Sequence, residues 1–238
     1  WRVLYLFGCI TALFGLMIRG STPLPKPTVS TSQAISSMKE TLWKHRKILL
    51  FIAINTGFAN ATYSIALILM NGFIPLVTSF TKTEVMQINT YLLLFDLSIF
   101  PLFGWVASKI SREKLMLSVA LCVLLFAMPL LVSLQGASFA TIVLIRMVFV
   151  VFGVAFFAPF HAWAQMLVPP SCRYAVISLG YALGTQLLGS PTAALALWSY
   201  QKTGMVSSIA WYWMALATAS TVSILIALRS RDASPEKA

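Results

Sequence analysis

Seven nearly unbroken apolar runs follow one another along the chain, at about 3–18, 48–70, 86–107, 115–134, 139–165, 174–197 and 209–228. None shows the period-two alternation of a membrane barrel strand. Each approaches the roughly 20 residues a helix needs to cross about 30 Å of hydrocarbon. The pattern predicts an all-α polytopic membrane protein with seven transmembrane helices joined by short polar turns.

Polar positions inside the runs are few, which makes their helical faces informative. In the second run Asn55, Ala59, Thr62 and Ala66 share one face, with Tyr63 at its edge, while Asn60, Ser64 and Asn71 share another. In the sixth, Ser178, Tyr181 and Thr185 follow i, i+3, i+7, with Gln186 one step aside. The fourth and seventh runs read as nearly bare of polar groups. Single Asn and Thr residues in such helices either bond neighbouring helices together or line a polar path.

Two charges stand out. Of six acidic residues, Asp96 alone lies deep inside an apolar run, and Arg146 is set within the fifth. An ionisable group in hydrocarbon costs several kcal/mol, so such residues face a protein interior or a wet cavity. Counted from the outer helix ends at about 1.5 Å per residue, the two lie within about 3–5 Å of one depth. They are therefore expected to be able to pair, either as a fixed structural ion pair or as one whose opening switches the proton affinity of the carboxylate.

Composition agrees with a bilayer setting: 59% of the 238 residues are hydrophobic, 10% are charged, and the mean hydropathy is +0.86. A soluble domain carries about 45–50% apolar and about 25% charged residues. The net charge of +11 would suggest nucleic acid in a soluble protein, but its distribution points elsewhere. The segments 19–47, 109–114, 173 and 229–237 hold most Lys and Arg, whereas the opposite helix ends hold Arg2, Lys82 and Lys202. The positive-inside rule then places the C-terminus in the cytoplasm, with the lipid bilayer rather than nucleic acid as partner.

That orientation puts Trp1 outside, at the start of a helix with neither an initiator Met nor a signal peptide. The expected organisation is the C-terminal part of a longer protein. Residues 1–19 form the final helix of a preceding bundle, 20–47 a cytoplasmic linker, 48–228 a six-helix bundle, and 229–238 a cytoplasmic tail. Pro23, Pro25 and Pro27 mark the linker. The following 38–47 reads either as a short basic interfacial helix, with Leu42 and Trp43 toward lipid, or as a solvated charge run.

Cys9, Cys122 and Cys172 suggest no disulfide or metal framework, and no catalytic or phosphate-binding motif is present. An enzyme is not expected, nor a metal or cofactor. Pro169 and Pro170 end the fifth helix, with Arg173 anchoring the next at the headgroups. Gly180 and Gly184 form a small-x-x-x-small pair suited to close helix packing. Gly189 and Pro191 weaken the same helix, where a moving bundle could bend.

The turn Gly104-Trp-Val-Ala-Ser108-Lys109-Ile-Ser111-Arg112-Glu113-Lys114 resembles the G-x-x-x-D-R-x-G-R-R loop of the major facilitator superfamily, with Ser108 and Ser111 in place of its Asp and Gly. Gln165 through Pro169, Arg173-Tyr174, Ser178 and Gly180-Tyr181 resemble the E-x-F-P-x-x-x-R-Y-x-x-x-S-x-G-Y stretch of its metabolite:proton symporter branch, which contains the proline/betaine transporters. Gln165 replaces the Glu. Leu188 to Thr192 is similar to that branch's G-G-x-x-P break, and Ala210-Trp211-Tyr212 to the start of its last helix.

The resemblance implies the C-terminal half of a secondary transporter, a 3+3 inverted repeat in the inner membrane of a bacterium. Its second, third, fifth and sixth helices would line a central cavity, and its fourth and seventh would face lipid. The partners implied are a small-molecule solute and an N-terminal six-helix bundle, and the coupling ion is a proton. Asp96, Arg146, Asn55, Tyr181 and Thr185 are the expected solute and proton pathway, and Lys109, Arg112 and Arg173 the cytoplasmic gate. Arg146 suits a carboxylate, and Trp163 or Tyr181 a quaternary ammonium. His161 is expected as a packed or gate-side histidine. A seven-helix receptor is the alternative, though the seventh helix has no lysine for a retinal Schiff base and no D/E-R-Y or N-P-x-x-Y triplet appears. A non-transporting subunit or gene remnant is a third reading.

Overall fold

A computed structural model of the chain describes residues 2–21 and 39–232. Among these residues there is helix and no strand. Seven helices carry the seven apolar runs: α1 (Arg2–Ser21), α2 (Arg46–Val77), α3 (Lys82–Lys109), α4 (Arg112–Val132), α5 (Phe139–Leu167), α6 (173–203) and α7 (Ser207–Asp232). The protein is an all-α polytopic membrane protein. Five of the helices, α2 to α5 and α7, are long and apolar enough to span a bilayer. The expected linker lies outside the described residues over 22–38, as does the tail over 233–238. Residues 39–44 are helical and a turn at His45 leads into α2.

The chain forms two units, Trp1–Glu40 and Thr41–Ala238. In the first, the described apolar side chains of α1, including Leu13, Phe14, Leu16 and Met17, are exposed, as lipid-facing residues are.

In the second, short turns with local caps separate the helices. Thr81 opens α3 with a capping box to Glu84, Ser111 accepts from the Lys114 amide at the start of α4, and Ser138 accepts from the Thr141 amide at the start of α5. Gly204, at φ 67°, closes α6. Packing repeats in a regular way. α2 packs on α6 as α5 packs on α3, α2 packs on α7 as α5 packs on α4, and α2/α5 and α4/α7 also pack. These contacts match under exchange of α2–α4 for α5–α7, whereas α6/α7 packs far more than its counterpart α3/α4, and α2/α3 more than α5/α6.

α2 is the central helix, with 61% of its apolar window buried, and α3 the most peripheral, with 11%. α3 buries only Val85, Ile88, Leu92 and Ala107, while Leu93, Leu94, Leu97, Leu102 and Trp105 are exposed. So much apolar surface is stable only against lipid or another helix.

Two helices are not regular. α2 passes through a π turn at Ser64–Leu69, where the Met70 amide donates to the Ile65 carbonyl. α6 does the same at Gly184–Gly189, where the Ser190 amide donates to the Thr185 carbonyl at 2.7 Å. Pro191 follows, and the Tyr212 hydroxyl takes up the Leu188 carbonyl at 2.7 Å. The irregularity expected from Gly189 and Pro191 is therefore present in α6, and α2 carries a second one that the sequence pattern did not indicate.

Glycines set how closely these two helices approach. A Cβ on Gly184 would collide with the Ala53 carbonyl, and one on Gly180 would lie 2.9 Å from Ile52 Cγ2. The expected small-residue seam is thus the α2/α6 contact itself.

Candidate functional site

A strip of polar and aromatic side chains crosses α3, α2, α5 and α6. It begins at Asp96, midway along α3, whose Oδ1 accepts a hydrogen bond from the Tyr63 hydroxyl of α2 at 3.0 Å. Tyr63 immediately precedes the π turn. Its ring lies against Gly153 of α5, where a Cβ would sit 3.3 Å from two ring carbons. From there the strip continues through aromatic contacts. Tyr63 meets Phe157 edge-on at 5.8 Å, Phe157 meets His161 edge-on at 4.9 Å, and His161 stacks on Tyr181 of α6 at 5.9 Å. Asp96, Tyr63, Phe157 and Tyr181 are half-buried and His161 is exposed.

Beside the strip, Asn60 Nδ2 donates to the Thr56 carbonyl and to Thr185 Oγ1 at 3.2 Å, joining α2 to α6. A cleft of about 250 Å³ opens here, lined by Asn60, Tyr63, Ser64, Leu67, Ile68, Gly189 and Ser190. Both π turns border it. Of the expected pathway residues on α6, Tyr181 ends the strip against His161 and Thr185 bonds Asn60 beside it; neither touches Asp96 directly.

Arg146 does not. It does not meet Asp96: its guanidinium, fully buried, donates to the Val85 carbonyl at 3.1 Å, the Ala66 carbonyl at 3.3 Å, Asn71 Oδ1 at 3.2 Å and Asn89 Oδ1 at 2.5 Å. The physical reason is direction. Side chains lean toward the N-terminus of their helix, so Arg146 on α5 reaches back to the first turns of α3. Asn89 precedes Asp96 by seven residues, about 10 Å along the axis. The π turn contributes by presenting the Ala66 carbonyl from within a displaced backbone ladder.

Asn55 also leaves the expected pathway. It is fully buried, accepting from Ser220 and donating to Ser223 on α7 at 2.7 Å each. Nearby, Trp213 Nε1 of α7 donates to Thr62 Oγ1 at 3.0 Å. α7 is thus not bare of polar groups: Ser220 and Ser223 satisfy a buried amide that would be costly unpaired. Trp163 is 1% exposed and packs against Phe160, so it presents no face to a ligand.

At the expected gate, Lys109 and Arg112 border a cleft of about 320 Å³ closed by Met166 of α5. Arg112 Nη1 lies 2.7 Å from Met166 Sδ, which fixes the α3–α4 turn to the end of α5. Ser108 turns back onto the Trp105 carbonyl at 2.6 Å. Arg173 is not brought to this cluster; its Nε donates to the Val168 carbonyl at 3.4 Å. Among the described residues no group of His, Cys, Asp or Glu could hold a metal ion.

Sequence reasoning missed Tyr63 and His161 as members of the strip. The signal for His161 was its i+4 spacing from Phe157, and for Tyr63 its place between the two polar faces of α2.

Comparison with known proteins adds a class. Proteins of Staphylococcus aureus strains COL, N315 and Mu50, each described as "Putative proline/betaine transporter", are 23% identical to this chain over 224 residues. The chain is similar to transporters. The match covers 91% of this chain and 48% of each relative, so the chain spans about half the length of the curated relatives it matches. No family model matches, and no solved structure matches.

Proposed function

We propose that the chain is the C-terminal half of a secondary active transporter that moves a small polar metabolite or osmolyte with protons. Under this reading α1 ends a preceding six-helix bundle, 20–47 links the halves in the cytoplasm, and α2 to α7 form the second bundle, in a bacterial inner membrane with the C-terminus inside. Solute binds between the two bundles near mid-membrane, and the bundles rock about it.

The observation that carries the reading is the strip from Asp96 to Tyr181. A half-buried carboxylate, held by a hydroxyl rather than a cation, stands midway through an apolar helix and is continuous with polar groups on three others. Such a carboxylate can exchange a proton with a wet path, whereas one locked to an arginine is less available. The exchange pattern of helix contacts and the match to transporters over 91% of the chain add support. Zwitterions such as the proline and betaine in the relatives' description are the solutes to try first.

Reconstitution of the full-length gene product in proteoliposomes tests the proposal. A panel of labelled metabolites, offered with and without an inward proton gradient, should reveal at least one that accumulates only with the gradient. Absence of accumulation across a panel of amino acids, betaines and carboxylates contradicts it.

A further inference from the structure

We propose that the cleft between α2 and α6 binds the cationic, ammonium end of a small zwitterion and leaves the carboxylate end to groups outside this cleft. The inference rests on the transporter reading and specifies the orientation of its solute.

The cleft is built by the backbone. Gly57, Gly180 and Gly184 hold α2 and α6 in close contact; a Cβ on Gly57 would lie 2.5 Å from Leu188 Cβ. The π turns at Ser64–Leu69 and Gly184–Gly189 then interrupt both helices together, and Pro191 breaks α6. A π turn widens a helix locally and re-aims its side chains, so the seam opens into the cleft at this level. Its volume of about 250 Å³ equals roughly eight water molecules at their share of the liquid, room for a small head group.

Its chemistry favours a donor. Asn60 spends its NH2 on Thr56 and Thr185, which leaves Oδ1 to accept. Tyr63 spends its hydroxyl proton on Asp96, which leaves its oxygen lone pairs, with the carboxylate one hydrogen bond behind them. Ser64 and Ser190 add hydroxyls, and Leu67 and Ile68 add apolar walls for carbon substituents. No Lys, Arg or His lines the cleft. Arg146, the nearest candidate anion partner in the sequence, is turned onto four neutral acceptors of α2 and α3. A carboxylate here would find only the Ser64 and Ser190 hydroxyls as donors and would face a second carboxylate while losing water, a costly exchange. An ammonium group would meet acceptors backed by a negative charge.

Two analogues that each keep one end of proline separate the possibilities: pyrrolidine retains the cationic ring nitrogen and cyclopentanecarboxylate retains the acid. Proline uptake by the full-length protein in proteoliposomes is measured with each as competitor. Pyrrolidine should compete, and substitutions in the cleft should weaken it while leaving any competition by cyclopentanecarboxylate unchanged. Asn60→Ala should raise the inhibition constant for pyrrolidine about tenfold, the effect of one lost charge-assisted contact. Ser190→Ala, which removes one exposed hydroxyl, should weaken pyrrolidine in the same direction and serves where Asn60→Ala fails to fold. No competition by the amine, competition by the amine unaffected by both substitutions, or competition by the acid weakened as much as that by the amine overturns the assignment while leaving the transporter reading standing. If neither proline nor betaine is taken up, the zwitterion orientation falls with its substrate.

Discussion

At the scale of single residues, the decisive fact is what each buried charge touches. Arg146 is enclosed by two carbonyls and two side-chain amides from α2 and α3, so it ties three helices with one guanidinium. Arg146→Met should leave those acceptors buried without a donor. The expected cost is about 1.5–3 kcal/mol for each charge-assisted bond that is not replaced, seen as a lowered melting temperature of the detergent-solubilised protein. Unchanged stability would show that the acceptors find other donors. Both charges were legible in the sequence as anomalies in apolar runs. Their partners were not, because helix depth counts Cα positions and ignores the length and lean of an arginine. The sequence likewise put Asn55 on the pathway and Asn60 on another face, yet Asn55 is sealed against Ser220 and Ser223 and Asn60 borders the cleft.

At the scale of the helices, the α2/α6 seam depends on the absence of side chains. Gly184→Ala would force a Cβ into the Ala53 carbonyl and should destabilise by about 1–3 kcal/mol, the usual range for overpacking. Gly104→Ala is the matched control. Nothing lies within 4 Å of a Cβ there, and alanine is the better helix former by about 1 kcal/mol, so stability should hold or rise. Thermal unfolding of the two variants in one detergent compares them directly. The helices themselves were readable from apolar runs because the bilayer requires nearly continuous hydrophobicity. The π turns were not readable: glycine and proline flagged α6, but Ser64–Leu69 contains neither. Nor was the inner face of α7, whose serines are short and scattered among larger apolar residues.

At the scale of the whole molecule, the seven-run pattern, the basic segments and the exchange of contacts between α2–α4 and α5–α7 fit one topology. The proposed orientation, with the C-terminus inside, puts the turn at 78–81 outside and the turn at 168–172 inside. With the native cysteines replaced, Ser79→Cys should react with a membrane-impermeant thiol reagent on intact cells, and Ser171→Cys only after permeabilisation. The reverse pattern would invert the orientation. The exposed apolar length of α3 has a place in this scheme against lipid or a second bundle, and the strip from Asp96 to Tyr181 gives the face of α2, α3, α5 and α6 its polar character.

The proposed proton coupling through Asp96 joins the three scales, and its most direct test is the Asp96→Asn variant of the full-length protein in proteoliposomes. Gradient-driven accumulation of the solute should be lost, while exchange of labelled for unlabelled solute across the same membrane continues. Undiminished accumulation by the variant at every pH would contradict the account.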